Sequence, residues 1–285
     1  GKTMSYDYLL TIAIILLCTK IFGLTSERVH MPQVVGALIA GVLVGPSVLN
    51  WVGETDFLVK AAELGVIILM FNAGMDTDLE ELKKTGFASF IIAMIGVIVP
   101  LLGGMGCYLV FDNNPSDKMN MLKAAFIGVV LTATSVSITV ETLRELGKLS
   151  TRAGTTILSA AIIDDVMGIV ALSLLTGISG GGNLLLTLLK AVGFFVFTVG
   201  LGLPLRKFFI MMMHRYPNKR RTSIFSLVMC FLYAYCAEKF FGIAAITGAY
   251  MAGLMLSGME ETPVVDRKVV VSGYMIFTPM FFAYI

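Results

Sequence analysis

Charged side chains are scarce in this sequence, where Asp, Glu, Lys and Arg together make up 14% of 285 residues. Soluble globular domains carry roughly a quarter of their residues charged, so this scarcity excludes an ordinary soluble domain. The formal net charge is only +2, which leaves no basic excess for binding a nucleic acid.

Cysteine and histidine are also rare, at four and two residues. Each cysteine lies inside an apolar run, so their spacing predicts neither a disulfide framework nor a zinc site. The glycine run at 180–182 is not followed by the lysine and hydroxyl residue of a phosphate-binding loop. We therefore expect no resident cofactor.

Apolar residues are abundant instead, at 57% of the chain, and the mean hydropathy is +0.88. A membrane-spanning helix needs about 20 mainly apolar residues. Runs of this kind predict an all-α, polytopic membrane helix bundle that forms one transmembrane domain over residues 1–285. Ten candidate spans are found at 6–24, 32–49, 57–75, 86–110, 121–143, 153–177, 184–213, 222–239, 242–257 and 269–285.

Lys and Arg are distributed unequally between the two sets of connecting loops. When the loops are assigned alternately to the two sides, fourteen of these residues lie on one side and six on the other: Lys2, Lys60, Lys118, Lys123, Lys190 and Lys239. Positively charged loops stay in the cytoplasm. The bias therefore predicts a multi-pass membrane protein with its N-terminus outside.

Two short patterns occur twice along the chain. Gly36-Ala-Leu-Ile-Ala-Gly41 matches Gly248-Ala-Tyr-Met-Ala-Gly253, and Met70-Phe-Asn-Ala73 matches Met280-Phe-Phe-Ala283. In the predicted orientation the matching helices run in opposite directions, as in the inverted repeats of secondary transporters. Small residues that recur only for close helix packing are the alternative.

The repeat divides the chain into three parts. A first five-helix copy covers 32–177, linker helices cover 178–240, and a second copy starts over 241–285. Because the second copy reaches Ile285 after two helices, we expect three further helices, about 100 residues by the length of the first copy, beyond this sequence.

Asp164 and Asp165 lie in the middle of the sixth apolar run, in Ala-Ile-Ile-Asp-Asp-Val-Met. A charged carboxylate near the bilayer centre costs at least about 3 kcal/mol, so such residues face a cavity or a partner. Adjacent helical side chains point about 100° apart, so we expect one aspartate to face an ion cavity and the other a neighbouring helix, there meeting a basic residue. A proton and a cation compete for such oxygens. A buried pair without function is the alternative.

Five hydroxyl residues fall within nine positions of the preceding span, including Thr132, Thr134 and Ser135. Hydroxyl side chains compete with helical hydrogen bonds and permit a break, which exposes backbone carbonyls at membrane depth. Carboxylate, hydroxyl and carbonyl oxygens suit a hard cation such as Na⁺. Hydroxyl groups that only pack one helix against another are the alternative.

Four segments in order resemble bacterial monovalent cation/proton antiporters, the branch with Na⁺/H⁺ exchangers and K⁺ efflux systems. They are Val35-Gly-Ala-Leu-Ile-Ala-Gly-Val-Leu-Val-Gly-Pro-Ser47, Phe71-Asn-Ala-Gly-Met-Asp-Thr-Asp78, Thr132-Ala-Thr-Ser-Val-Ser137 and Ala161-Ile-Ile-Asp-Asp165. The resemblance runs from about residue 10 to the end.

The resemblance implies a homodimeric transporter whose broken helices cross beside the carboxylates and whose core moves like an elevator. It implies that Asp165 carries the cation and the proton, with Thr134 and Ser135 nearby. Asp164 would pair with a lysine beyond Ile285, and a pair of aspartates implies electrogenic exchange.

The function predicted from the sequence is therefore Na⁺/H⁺ exchange by alternating access, not an enzymatic activity. Asp164, Asp165, Thr132, Thr134 and Ser135 are the candidate ion-binding residues. K⁺/H⁺ exchange and Na⁺-coupled uptake of an organic solute are the alternatives. A passive channel is disfavoured because no filter loop is visible. An intramembrane aspartyl protease would need its two aspartates on different helices, whereas here both lie on one.

Overall fold

A computed structural model of the chain describes residues 6–111, 119–178, 183–215, 219–259, 273 and 275–285. Its described elements are helical, so the predicted all-α class is confirmed. In chain order they are α1 (Asp7–Arg28), α2 (Gln33–Val44), α3 (Asp56–Asp76), α4 (Leu79–Phe111), α5 (Asn120–Leu131), α6 (Val136–Glu145), α7 (Arg152–Ile178), α8 (Leu184–Arg215), α9 (Lys219–Cys236), a π-helical turn (Ala237–Phe241), α10 (Ala245–Leu256) and α11 (Phe277–Tyr284).

Seven of the described helical segments are long and apolar enough to cross a membrane. They are α1, α3, α4, α5 together with α6, α7, α8, and α9 together with the π-helical turn. α2 and α10 are apolar but only 12 residues each. The chain is therefore a multi-pass membrane protein, as the hydropathy predicts.

Several helix boundaries differ from the predicted spans: α11, for example, begins at Phe277, after a turn at 275–276, and not at residue 269. Two of the differences have local reasons. α2 ends at Val44 and not at residue 49, because Gly45 is extended and precedes Pro46, which disfavours a helical conformation there. α4 begins at Leu79 and not at residue 86, because an Asp78 carboxylate oxygen accepts the Glu80 N–H at 2.8 Å. The charged residues that follow Asp78 form the first turns of α4.

Some predictions concern residues outside the described ranges. The start of the tenth span lies among residues 260–272, and the glycine run lies at 180–182. The same holds for four of the counted cations: Lys2, Lys118, Arg267 and Lys268.

The helices pack in two groups. In the six-helix group (α1–α3 and α9–α11), α3 packs on α10 and α11, α1 packs on α2, and α9 packs on α10. In the three-helix group (α4, α5 and α7), α4 packs on both of its partners. α6 touches α7 on one side and α2 and α3 on the other, and α8 touches α7, α9 and α10.

Glycines bring the helices of the six-helix group into backbone contact. A methyl group at Gly253 would collide with the Phe71 carbonyl oxygen, and one at Gly74 would collide with the Tyr250 carbonyl oxygen. α3 and α10 therefore approach each other as small-residue membrane helices do. Gly65 and Gly41 make equivalent approaches to α11.

Candidate functional site

The aspartate pair lies at the middle of α7, which runs from Arg152 to Ile178. Asp164 is twelve residues from the start of this helix, which at 1.5 Å per residue places it about 18 Å along the axis. Its exposed fraction is 8%, whereas Asp165 is half-buried. Both carboxyl groups are thus far from either end of a span.

The hydroxyl-rich segment breaks the fifth span, as predicted. α5 ends at Leu131, residues 132–135 are not helical, and α6 begins at Val136. Ser135 is the N-cap of α6, and its hydroxyl accepts the Ile138 N–H at 3.5 Å. The break leaves the partly positive start of α6 and the partly negative end of α5 inside the membrane-spanning region.

Thr134, within this break, contacts the aspartate pair directly. Its hydroxyl donates to Asp164 Oδ2 at 2.7 Å. The other Asp164 carboxylate oxygen is buried and has no hydrogen-bond partner among the described residues. One oxygen of this carboxylate is therefore held by the break, and the other is buried without a hydrogen-bond partner among the described residues.

Asp165 meets a different element. The Thr247 hydroxyl, in the first turn of α10, donates to Asp165 Oδ2 at 3.5 Å. The two aspartates thus contact different neighbours, as their 100° separation on a helix requires. Among the described lysine and arginine side chains, none forms an ion pair with either aspartate.

Thr132 and Ser135 lie in the same break but contact the backbone and other hydroxyls. The Thr132 hydroxyl donates to the Val129 carbonyl oxygen at 2.6 Å. The Ser135 and Ser137 hydroxyl oxygens are 3.5 Å apart. Of the three predicted hydroxyl ligands, the structure brings Thr134 alone into a hydrogen bond with a carboxylate.

The oxygens of this site suit a monovalent cation. Two carboxylates, the Thr134 and Thr247 hydroxyls and the carbonyls of the broken helix are hard ligands, which favour alkali-metal ions. No cluster of three or more His, Cys, Asp or Glu side chains occurs in the part of the chain that the structure describes. The negative charge available for a bound ion is therefore that of the aspartate pair.

Thr247 is the contact that sequence reasoning missed. It directly precedes the second Gly-Ala-x-x-Ala-Gly pattern and is almost completely buried in an otherwise apolar helix start. A hydroxyl residue directly before a repeated small-residue motif, in an otherwise apolar run, is the signal that could have identified it. Nothing local in the sequence connects it with Asp165, which lies 82 positions earlier.

Known proteins match this architecture along almost the whole chain. A model of the sodium/hydrogen exchanger transmembrane family matches residues 12–285. The Na⁺/H⁺-K⁺ antiporter GerN of Bacillus cereus is 39% identical over 98% of this chain and 71% of its own length. A Na⁺/H⁺ antiporter of Enterococcus hirae is 34% identical over 97% of this chain and 72% of its own length.

A solved structure has the same fold. The sodium proton antiporter MjNhaP1 of Methanocaldococcus jannaschii, determined at pH 8, superposes with a TM-score of 0.67 over 98% of this chain and 70% of that one, at 17% identity. With a family model that covers nearly all of the sequence, the chain belongs to the sodium/hydrogen exchanger family of membrane antiporters.

Proposed function

We propose that this protein exchanges Na⁺ for H⁺ across a bacterial plasma membrane, with the two ions competing for the carboxylates of Asp164 and Asp165. The observation that carries the proposal is the position of these side chains. They lie in mid-span beside a broken helix, and Thr134 donates to one of them at 2.7 Å. Family membership supports cation/proton exchange over the alternative of solute uptake and over proteolysis.

The two aspartates have different roles in this proposal. Asp165 is half-buried and contacts Thr247 of the six-helix group, so it is the residue that releases one ion and binds the other. Asp164 is more deeply buried and is held by Thr134, so it supports the site. The resemblance implies that a lysine pairs with it. Thr132 and Ser135 contribute backbone and hydroxyl oxygens of the break.

Alternating access proceeds by an elevator movement of the three-helix group against the six-helix group. The support is the packing, because α4, α5 and α7 contact mainly one another, while the remaining spans form their own glycine-mediated contacts. Both carboxylates belong to α7, so a movement of the three-helix group moves the bound ion together with them. The homodimer, and the exchange of more protons than cations, follow from the resemblance.

The inverted repeat is part of the same proposal. Its support is the packing of α2 on α11 and of α3 on α10. In the repeat, α2 corresponds to α10 and α3 to α11. The first helix of each copy then contacts the second helix of the other copy. A two-fold axis within the membrane plane would produce this arrangement. The arginine and lysine bias of the loops supports an outside N-terminus.

Replacement of Asp165 tests the site. In proteoliposomes that contain the full-length protein and hold a pH gradient, added Na⁺ should dissipate the gradient, as followed by a pH-sensitive dye. Asp165→Asn should abolish this response, because an amide cannot release a proton. Asp56→Asn, in the first turn of α3, is the matched control and should respond like the wild type. Exchange that persists unchanged in Asp165→Asn would reject the site.

A membrane potential distinguishes electrogenic from neutral exchange. If more protons than cations move per cycle, an imposed potential adds or removes about 2.3 kcal/mol per 100 mV for each net charge. The exchange rate should therefore depend on a potential set with K⁺ and valinomycin. A rate that is the same at all potentials would contradict an electrogenic cycle.

K⁺/H⁺ exchange is the second candidate function. It is favoured by the similarity to GerN, whose name includes K⁺. Dye responses to equal additions of Na⁺, K⁺ and Li⁺ decide between them. A larger response to K⁺ than to Na⁺ at every concentration would identify K⁺, and not Na⁺, as the transported cation.

A further inference from the structure

A small cavity lies between α7, α8 and the π-helical turn, on the outer side of the aspartate pair in the predicted orientation. Its volume is about 120 Å³, which is room for about four water molecules and too little for most organic ligands. Three of its lining residues, Val166, Ile169 and Val170, follow Asp165 along α7 toward the outer end of this helix. The size of the cavity suits water and small inorganic ions.

The walls of this cavity adjoin the contact between Asp165 and Thr247. Val166 directly follows Asp165, and Ile169 lies one turn beyond Asp165 on the same face of α7. On the opposite wall, Ile243 leads into α10, whose first turn carries Thr247, the donor to Asp165 at 3.5 Å. The cavity is therefore next to both residues of this contact.

Lys190 of α8 is the one charged residue among the described residues that line the cavity. It is exposed and forms no ion pair with a described residue, and α8 contains no Asp or Glu. The other lining residues are apolar, apart from Thr187. Ionisable residues within membrane-spanning helices normally face a cavity or a partner, so the position of Lys190 calls for a function.

A hydrogen bond between α7 and α8 shows how high Lys190 lies. The Ser173 and Thr187 hydroxyl oxygens are 2.7 Å apart, so these two antiparallel helices are level at this point. Asp165 is eight residues inward of Ser173, which is about 12 Å, and Lys190 is three residues inward of Thr187, about 4.5 Å. The Lys190 backbone is thus about 7–8 Å nearer to the outer surface than the Asp165 backbone.

We propose that this cavity is the outer entrance to Asp165 and that the charge of Lys190 sets the Na⁺ affinity of the outer face. The inference rests on the proposed exchange. The ammonium repels a cation that approaches Asp165 from outside, and at a separation of about 10 Å salt weakens this repulsion without abolishing it. Na⁺ that is released to the outside therefore rebinds poorly, whereas Na⁺ from the cytoplasm does not pass Lys190.

Uptake of Na⁺ from each face tests the role of Lys190. Membrane vesicles with the full-length protein are prepared right side out and everted, loaded at acid pH and diluted into alkaline medium, and initial rates of radioactive Na⁺ uptake are measured. At low ionic strength, Lys190→Gln should lower the KM for Na⁺ about threefold to tenfold in right-side-out vesicles. The KM in everted vesicles should stay the same. Added choline chloride should reduce the difference between Lys190→Gln and the wild type.

Two further variants separate charge from structure. Lys190→Arg keeps the charge and should have the wild-type KM on both faces. Lys60→Gln is the matched control, because Lys60 has the same charge on the predicted outer side but pairs with Glu63 within α3 at 2.9 Å. It should also have the wild-type KM on both faces.

The outcomes distinguish this inference from the proposed function. Wild-type exchange together with an unaltered outer KM in Lys190→Gln would overturn the role of Lys190 and leave the proposed exchange in place. An equal fall in KM on both faces, or the same fall in Lys190→Arg, would show a structural effect and would also overturn it. Absence of Na⁺ uptake in the wild type would overturn the proposed function and this inference with it.

Discussion

At the scale of single residues, Thr134 illustrates how a broken helix prepares a site. Its hydroxyl donates to Asp164 at 2.7 Å from a backbone that is not helical. In a continuous helix, the same hydroxyl would donate to the carbonyl one turn earlier, as Thr139 does to Ser135 at 2.9 Å. The break thus redirects a hydroxyl from the backbone to a carboxylate.

Thr134→Val should weaken cation binding while the fold is retained. The variant loses a hydrogen bond to a charged group, which is worth about 1.5–3 kcal/mol, so the KM for Na⁺ should rise about tenfold or more. The measurement is the Na⁺ dependence of exchange in proteoliposomes. Thr25→Val is the matched control, because its hydroxyl donates to the Ile21 carbonyl oxygen within α1, away from the site. Identical KM values for the two variants would show that Thr134 does not support the site.

At the scale of helices, glycine determines how closely α3 and α10 pack. Gly253 faces the Phe71 carbonyl and Gly74 faces the Tyr250 carbonyl, so the two backbones touch without intervening side chains. Leu69, Met70 and Phe71 are fully buried in this part of α3. This pair of helices also carries a contact of the site, because Thr247, whose hydroxyl donates to Asp165, is at the start of α10.

Gly253→Ala should destabilise the protein although alanine is the better helix former. The added methyl would overlap the Phe71 carbonyl, and overpacking of this kind costs about 1–3 kcal/mol. Gly96→Ala, in α4 with nothing within 4 Å of the added methyl, should be neutral or slightly stabilising. Thermal unfolding in detergent, followed by intrinsic fluorescence, compares the two. A lower melting temperature for Gly96→Ala than for Gly253→Ala would contradict this account of the packing.

At the scale of the whole molecule, α6 connects the two helix groups at one end. Arg144 donates to Asp76 of α3 at 3.0 Å, and the neighbouring Glu145 accepts two backbone N–H groups of α2. On the same side, Arg206 of α8 donates to the carbonyls of Met255 and Ser257 at 3.1 and 2.6 Å, at the end of α10. Any movement between the groups must change the contacts of α6.

The Arg144–Asp76 pair should therefore show measurable coupling. Both side chains are partly exposed, at 20% and 34%, so solvent reduces the interaction to about 0.5–1 kcal/mol. A double-mutant cycle with Arg144→Gln and Asp76→Asn, measured by thermal unfolding, should give a coupling free energy of about this size. The exposed pair Lys60 and Glu63, within α3, serves as the comparison. Strictly additive effects of Arg144→Gln and Asp76→Asn would show that the contact does not join the groups.

The sequence by itself determined the class of the protein, the approximate position of most of its spans, a break within residues 131–139 and the mid-span position of Asp164 and Asp165. These features depend on local hydropathy, on segment length and on hydroxyl content, so they can be predicted without knowledge of packing. Helix ends were less accurate where a single side chain, such as Asp78, caps a helix that continues beyond the apolar run.

Only the tertiary structure decided which helices are neighbours. The contact of Thr247 with Asp165, the ion pair of Arg144 with Asp76 and the cap of α2 by Glu145 join residues 82, 68 and up to 112 positions apart. Lipid tails are as apolar as the side chains of these helices, so hydrophobicity does not favour one arrangement of the helices in a membrane over another. The arrangement is selected by close contacts such as that of Gly253 with Phe71, which depend on three-dimensional fit and not on any local pattern.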